Sequence, residues 1–454
     1  MLASNFLKTS VSNIIYIFLG GLGAILVIPI FIINFGINKY GEWLSIIFFI
    51  NIITVIFQSK ITVDSNHISK IVQNKTNKFL DYFKKTNLIL LKQLFLIDIL
   101  IFIFIFFDNY FLIKFFNNIN EYKLIIIILL LSSNFNIYQG NFYSLYRAKK
   151  KSYIFLYLSS IKQIIYFALI IFFLIFIKFK EIEILVSITI LVLEIFFTIV
   201  IRNYYFFIFN KDKNYYLNNT KTILKEKLVK EKKYMLYFVF SEAIFNNLVP
   251  IVIGIFLTAA SITSFVTHLQ IAKIPRLLTM TINTAFQQVM GNIKKSNKES
   301  AYNYSMILVS INFWSFFLFY FFLYFVGEFM FNFITQNEVI YFKKYLLIIY
   351  TYFFMESIWR SLQTFSLATN KHKLISKLYF VTGIISILLM ILLIKNYDFM
   401  FVFIAQQLVL LTVSVIIFKN KFKKSHIIKF ILFDFFIKLI KLITYAINKK
   451  KLKI

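Results

Sequence analysis

The feature that most constrains this chain is a series of long apolar runs, which recurs from the N-terminus to beyond residue 410. Each run has about 20 residues, the length that an α-helix needs to cross a bilayer. Helices also satisfy their own backbone hydrogen bonds, which lipid cannot do. A transmembrane barrel needs shorter, alternating segments, whereas the runs at 124–131 and 164–177 do not alternate. The sequence therefore predicts an all-α polytopic membrane protein.

Basic residues between the runs fix the number and direction of the helices. With the N-terminus inside, the segments assigned to the cytoplasm carry most of the 50 lysines and arginines, as the positive-inside rule requires. Because basic and basic-poor loops alternate to the end, we predict a multi-pass protein of the bacterial inner (plasma) membrane with both termini cytoplasmic. The twelve predicted spans are 11–34, 42–58, 93–113, 123–145, 153–177, 182–201, 235–257, 262–288, 303–326, 345–365, 376–394 and 398–418.

The longest hydrophilic loop divides these spans into two equal sets. Two sets of six suggest an internal repeat, a plan common in transporters. The apolar but charged segment 425–448 is expected to be a helix in the cytoplasmic interface, with a thirteenth span as the alternative. The predicted organisation is two six-helix lobes, with an N-lobe over 1–202, a cytoplasmic linker over 203–233, a C-lobe over 234–420 and a basic amphipathic cytoplasmic tail over 421–454.

Composition argues against several classes of function. The formal net charge of +31 is compatible with nucleic-acid binding. Basic loops beside membrane helices explain that charge more simply, so no nucleic-acid partner is expected. The chain has no cysteine, no phosphate-binding loop motif and only four scattered histidines. We therefore expect no cofactor, no metal and no catalytic residues.

Charged residues inside the predicted spans are the main functional candidates, because an ionised side chain in lipid costs several kcal/mol unless it is paired or hydrated. Gln270, Lys273 and Arg276 are spaced by three and lie on one face of the eighth predicted helix. This face either lines a water-filled cavity or pairs its charges inside the bundle. Lys162 lies deep in the fifth predicted helix. The basic balance would favour an anion such as a phosphate or pyrophosphate.

Of four acidic residues in the spans, three allow two interpretations each. Glu242 and Glu194 either exchange a proton or ion, or neutralise a lysine. Glu356 is a third candidate for ion coupling. It also lies one helical turn from Arg360, so the two side chains could instead neutralise each other as an ion pair. Asp98 is expected to neutralise a nearby lysine.

Two amides and two prolines add further candidates. Asn247 and the neighbouring Asn246 either offer hydrogen bonds to a sugar or bridge helices. Pro29 and Pro250 occupy corresponding positions in the first and seventh predicted helices. Each proline could kink its helix, or the correspondence is a coincidence.

Four motifs resemble those of a known family. They are Gly20, Gly21, Gly23 and Pro29 followed by the segment 34–43 with Tyr40, Gly41 and Trp43; the basic segment 146–151; the segment 270–276; and the segment 367–371. Together they resemble the Wzx-type polysaccharide flippases of the multidrug/oligosaccharidyl-lipid/polysaccharide (MOP) exporter superfamily, over about residues 1–420.

The resemblance implies a MOP/MATE-like fold whose central cavity faces each side of the membrane in turn. The implied cargo is an oligosaccharide on undecaprenyl pyrophosphate, such as an O-antigen unit, with Arg276, Lys273 and Lys162 holding the anionic head. A monomer in the lipid bilayer is expected, with a glycan polymerase and a chain-length regulator as candidate partners. A drug/cation antiporter of the same superfamily, a membrane glycan polymerase or ligase, and a scaffold are the alternatives.

Overall fold

The computed structural model describes residues 2–73, 78–107, 119–176, 182–209, 226–291, 298–369, 372–394 and 399–422. These segments are helical, apart from short turns and caps. In chain order the α-helices are α1 (Leu2–Gln73), α2 (Lys78–Phe107), α3 (Ile119–Ala148), α4 (Ser152–Phe176), α5 (Ile182–Ile208), α6 (Glu226–Ala243), α7 (Val249–Phe256), α8 (Ala259–Ala272), α9 (Ile274–Gly291), α10 (Lys298–Thr335), α11 (Lys343–Ala368), α12 (Lys373–Leu393) and α13 (Met400–Phe422), and a π-helical turn, Ile244–Leu248, joins α6 to α7.

Helix α1 contains two membrane passes that meet at Gly36. This glycine has φ 79° and ψ 168°, a conformation that is essentially restricted to glycine. The rings of Phe31 and Trp43 lie 5.9 Å apart. In a straight helix the rise between two such positions is about 18 Å. The chain therefore folds back at Gly36, and the predicted spans 11–34 and 42–58 form two arms of α1.

Nine helical segments of the described chain are long and apolar enough to cross a membrane, and the two arms of α1 form one of them. The other passes are made by the α8–α9 pair and by α11, which carry polar residues into the interior. Counted this way, the described helices make the twelve predicted passes. The predicted all-α polytopic fold is confirmed, and the described part of each span is helical apart from the break within 262–288 and a residue or two at span ends.

The two lobes pack within themselves and meet along α1. Helices α2 to α5 pack among themselves, the helices from α6 onward pack among themselves, and both sets pack against α1. We use N-lobe for α1 to α5 and C-lobe for the helices from α6 onward, following the predicted organisation. Across the seam, Asn13 Nδ2 donates to Thr284 Oγ1 at 2.5 Å, and Thr263 Oγ1 donates to the carbonyl oxygen of Ile37 at 2.9 Å. Lys232 pairs with Asp64 at 2.7 Å. Helix α1 is therefore the main element that holds the lobes together.

Two predicted boundaries differ from the structure. Helix α5 continues to Ile208 and α6 begins at Glu226, so the connection between the lobes is shorter than 203–233. Tyrosine and phenylalanine side chains pack along this extension of α5, including the buried Tyr205 and Phe206, which explains why it stays helical. The predicted tail helix at 425–448 lies outside the described residues.

Candidate functional site

A ring of four charged side chains lies inside the C-lobe. The Arg276 guanidinium donates to Glu242 Oε1 at 2.7 Å, and its Nε lies 2.8 Å from Glu356 Oε2. The Arg360 guanidinium lies 3.1 Å from Glu242 Oε2 and 2.8 Å from Glu356 Oε1. Each carboxylate therefore lies between two guanidinium groups. We call this arrangement the C-lobe charge ring.

The members of the ring differ in burial. The side chain of Glu356 is 1% exposed and that of Arg276 is 4% exposed, whereas those of Arg360 and Glu242 are 16% and 25% exposed. Removing a charge from water costs several kcal/mol, and the cost falls when an opposite charge is held in good geometry. Pairing therefore explains how two arginines are accommodated between membrane helices. Glu242 is the most accessible member.

Breaks in two helices bring these side chains together. Helix α8 ends at Ala272, Lys273 caps it, and Pro275 lies in the first turn of α9. Proline has no N–H, so the helical ladder lacks a hydrogen bond at Pro275, and here the chain breaks into two helices. The predicted face of Gln270, Lys273 and Arg276 is therefore divided between two helices. Arg276 alone of these three belongs to the ring.

The second break follows Glu242. The π-helical turn Ile244–Leu248 begins two residues later, and Pro250 lies at the start of α7. Single π turns inside α-helices are frequent at functional sites. Asn246 Nδ2 donates to the carbonyl oxygen of Glu242 at 2.9 Å. The most accessible acid of the ring therefore stands beside an irregular segment of the backbone.

Aromatic rings surround the charges. The Arg276 guanidinium lies 5.0 Å from the ring centroid of Phe353, and the Arg360 guanidinium lies 5.0 Å from that of Phe238. Such cation–π contacts add attraction in desolvated sites. Tyr379 Oη donates to Glu356 Oε1 at 3.5 Å. The ring is thus held by apolar and aromatic contacts as well as by opposite charges.

Lys273 gives this region an excess of positive charge. The residue is half-buried and interacts electrostatically with Glu242, Glu356 and Arg276, but it forms no ion pair with any described residue. Arg360 Nε is buried and has no hydrogen-bond partner among the described residues. Three cations therefore face two carboxylates. The site has unused hydrogen-bond donors and a net attraction for an anion.

A separate ion pair lies inside the N-lobe. Lys162 Nζ lies 3.0 Å from both carboxylate oxygens of Glu194 and donates to Gln139 Oε1 at 3.0 Å. Gln139 Nε2 in turn donates to Glu194 Oε2 at 2.7 Å. Both charged side chains are largely buried, with exposures of 13% and 12%. Lys162 is thus neutralised within its own lobe.

This pair forms one wall of a cavity of ≈ 360 Å³ in the N-lobe. Aliphatic side chains line part of it, and hydroxyl, amide and aromatic side chains from α1, α3 and α4 line the rest. They include Tyr16, Asn51, Ser132, Ser133, Asn136, Gln163, Tyr166 and Phe167. Polar groups of this kind, alternating with aromatic rings, are suited to a neutral, hydroxyl-rich ligand.

The structure rearranges the predicted site residues into two groups. Lys162 and Glu194 are partners in the N-lobe, whereas Arg276, Glu242 and Glu356 belong to the C-lobe charge ring. Each of these cations is neutralised by carboxylates of its own lobe, and a single basic cavity that joins Lys162 to Arg276 stays a prediction. The interpretation that the charges pair inside the bundle holds for Arg276. The predicted Glu356–Arg360 pair is confirmed.

Two predicted residues lie outside both groups, and one residue that was not predicted belongs to the N-lobe pair. Asn247 lies in the π-helical turn and Gln270 lies on α8, and neither forms a side-chain hydrogen bond with the described members of the ring. Gln139 belongs to the N-lobe pair although the sequence analysis did not select it. The polar residues at 132–139, within an otherwise apolar helix, are the sequence feature that could have identified Gln139.

A second cavity, of ≈ 270 Å³, lies in the C-lobe at the start of α8 and α11. His268 lines it, with Nδ1 2.8 Å from the carbonyl oxygen of Ser264 and Nε2 accepting the Phe342 N–H at 3.1 Å. These contacts fix the neutral tautomer that carries its proton on Nδ1. The histidine therefore links α8 to the residue that precedes α11.

Comparison with known proteins identifies the fold. No protein-family model matches the chain, and no curated protein matches it either. Solved structures do match over almost the whole length. This agreement defines the molecule as a multi-pass membrane protein with the fold of the MOP superfamily.

The similar structures include MATE transporters. The MATE multidrug transporter DinF-BH has a TM-score of 0.70 and 13% identity, with 93% of this chain and 97% of that chain covered. A MOP superfamily transporter from Pyrococcus furiosus has a TM-score of 0.68 and 12% identity, with 93% and 96% covered. The Vibrio cholerae MATE transporter VcmN in the bent form has a TM-score of 0.63 and 11% identity, with 93% and 97% covered.

Proposed function

We propose that this protein is a flippase that moves undecaprenyl-pyrophosphate-linked oligosaccharides across the inner membrane by alternating access. The observation that carries the proposal is the excess of positive charge in the C-lobe, where Lys273 and two arginines face two carboxylates. A pyrophosphate head group supplies the missing negative charge. The fold shared with MATE transporters supports movement of a solute between two lobes.

The ring suggests how the anionic head is held. Glu242 bridges Arg276 and Arg360 with one carboxylate oxygen to each, which is also how a phosphate group binds two guanidinium groups. Because Glu242 is the more exposed carboxylate, we propose that the incoming head group displaces it. Glu356 is almost fully buried and stays in place behind both arginines.

The N-lobe cavity supports a role in holding the saccharide. Its amides and hydroxyls match the hydroxyl groups of a sugar, and its tyrosine and phenylalanine rings offer faces against which a sugar ring can lie. The head and the saccharide would then contact different lobes, which ties binding to the relative position of the lobes. A monomer that works with a glycan polymerase and a chain-length regulator remains part of this proposal.

A drug/cation antiporter is the second candidate, and the names of the similar multidrug transporters favour it. A cationic drug requires an acidic group that is free to receive it. In this chain, Glu194, Glu242 and Glu356 already contact lysine or arginine. The transporter from Pyrococcus furiosus is itself described as having a binding pocket of reverse polarity. The charges of this chain favour an anionic cargo.

Lys273→Met tests the proposal, because it removes the unpaired cation without breaking an ion pair. We expect cells that depend on this protein to lose surface glycan, while the amount of the variant in the membrane is unchanged. Lys377→Met, at an exposed lysine of α12, is the matched control and should assemble glycan normally. Lys273→Arg keeps the positive charge, so cells with this variant should assemble surface glycan. Normal surface glycan in Lys273→Met cells would contradict the assignment of the anion site.

A further inference from the structure

Asp98 is a carboxyl group inside a membrane pass that no cation neutralises among the described residues. It lies on α2, where Asn134 of α3 donates to its Oδ2 at 2.6 Å. Its Oδ1 is buried and has no hydrogen-bond partner in the described part of the chain. Asn134 lies 12 residues after Tyr122 and 14 before Ala148, the ends of the apolar span of α3. The carboxyl therefore contacts the middle of the apolar span of α3, while Asp98 lies five residues before Ile103, the end of the described apolar span of α2.

The neighbours of this half-buried carboxyl along α2 are apolar. Along α2, Leu94 is buried one turn before it in a cluster with Phe57 and Ile137. Phe95 and Phe102, on the adjoining face, are exposed to the surroundings of the bundle. An ionised carboxylate in such a place costs several kcal/mol, and one amide donor does not offset that cost. The neutral acid avoids that cost.

The charged groups of the neighbouring elements are engaged elsewhere. Helix α2 packs against α1 and α3. On α1, the ammonium of Lys60 donates to Gln93 Oε1 at 2.9 Å. Lys92, on α2 itself, is exposed, and α3 presents Asn134 to the carboxyl. The expected role of Asp98 as a partner of a lysine is therefore wrong for the described residues.

The other acids considered for ion coupling are occupied by fixed cations. Glu194 contacts Lys162, and Glu242 and Glu356 contact two arginines. Each of these carboxylates therefore already has a fixed cation that competes with any other positive charge. Asp98 has no such competitor among the described residues.

We propose that Asp98 is a proton-binding site of the membrane interior, occupied by a proton in this conformation. Its ligand is the hydrogen ion, and its protonation state links the pH of the accessible compartment to the contact between α2 and α3. The inference does not depend on the identity of the cargo. It also moves the expected site of ion coupling from Glu194, Glu242 and Glu356 to Asp98.

Dicyclohexylcarbodiimide tests this proposal on the full-length protein in liposomes at neutral pH. The reagent partitions into lipid, and the O–H of a protonated carboxyl adds across one of its C=N bonds. The O-acylisourea then rearranges to a stable N-acylurea, so the peptide gains the mass of one carbodiimide with no leaving group. We expect mass spectrometry to find the adduct on Asp98 and not on Glu194, Glu242 or Glu356. Asp98→Asn should abolish labelling of that peptide.

Lys162→Met provides a control, because it leaves Glu194 with the amide of Gln139 as its remaining described side-chain donor, just as Asp98 has the amide of Asn134. Glu194 should then become labelled. An unlabelled Asp98 in a protein whose freed Glu194 reacts would overturn the proposal, as would labelling of Glu194 in the unmodified protein. If the reagent labels neither protein, infrared spectroscopy decides. A protonated-carboxyl band that Asp98→Asn removes supports the proposal, and identical spectra refute it.

Discussion

Buried charges in this protein are neutralised by residues that are distant in sequence. Arg276 meets Glu242 and Glu356 across separations of 34 and 80 residues, and Lys162 meets Glu194 across 32. Within the C-lobe charge ring, Glu356 and Arg360 alone are one turn apart. The two carboxylates of the ring, Glu242 and Glu356, also differ in burial. The same substitution at each should therefore change the stability of the protein by a different amount.

Glu356→Gln should destabilise the protein more than Glu242→Gln. The first change leaves two buried guanidinium groups short of a carboxylate, and breaking a buried ion pair costs ~3–5 kcal/mol. Glu242 is 25% exposed, so its surroundings can compensate for part of the lost charge. The midpoints of thermal unfolding in detergent measure the difference. Equal midpoints for the two variants would show that burial does not rank these carboxylates.

The N-lobe pair allows a paired test. Lys162→Met should lower the thermal midpoint, because it leaves Glu194 buried without its cation. The double variant Lys162→Met, Glu194→Gln should recover most of the loss, since both charges are then absent. A double variant that is less stable than Lys162→Met would contradict the pairing.

The sequence predicts part of these sites. It identifies the ionisable residues inside the spans because a charge stands out in an apolar run, and it predicts Glu356–Arg360 because helix geometry brings those positions together. The partners of Arg276 and Lys162 depend on how separate helices pack, and helical spacing carries no information about that. For this reason Lys162 and Arg276 were expected to share a cavity, although they belong to different lobes.

At the scale of the helices, the irregular positions lie beside the charge ring and at the seam. Proline interrupts the eighth predicted span, and the seventh contains a π-helical turn, while α1 folds back at Gly36. The sequence predicts that these spans exist. It does not predict that 262–288 is two helices, because Pro29 remains inside a continuous helical arm whereas Pro275 lies at a helix start. Tertiary contacts decide between these outcomes.

Gly41→Ala tests a close approach between α1 and α8. A Cβ atom at Gly41 would lie 2.0 Å from the carbonyl oxygen of Ala259, so backbone would have to move. We expect a lower thermal midpoint in detergent. Gly140→Ala, where the nearest atom to the new Cβ is the side-chain Cδ1 of Ile61 at 3.6 Å, is the control and should be close to the unmodified protein. Equal stability of the two variants would argue against the close contact.

At the scale of the whole molecule, α1 ties the two lobes together at several depths. Asn13 contacts Thr284, Ile37 contacts Thr263, and Asp64 pairs with Lys232. A transporter that alternates its access has to exchange some of these contacts while each lobe keeps its own charge pairs. The separation of the N-lobe cavity from the C-lobe charge ring fits this requirement, because a cargo held by both lobes favours one relative position of them.

Translocation in reconstituted liposomes tests the proposed function most directly. The purified protein is incorporated with undecaprenyl-pyrophosphate-linked oligosaccharide in both leaflets, and an added lectin captures the saccharides that reach the outside. We predict that the unmodified protein makes the inner-leaflet oligosaccharide accessible, and that Lys273→Met leaves accessible only the oligosaccharide that began in the outer leaflet. Accessibility equal to that of protein-free liposomes, or equal rates for the unmodified protein and Lys273→Met, would contradict the account.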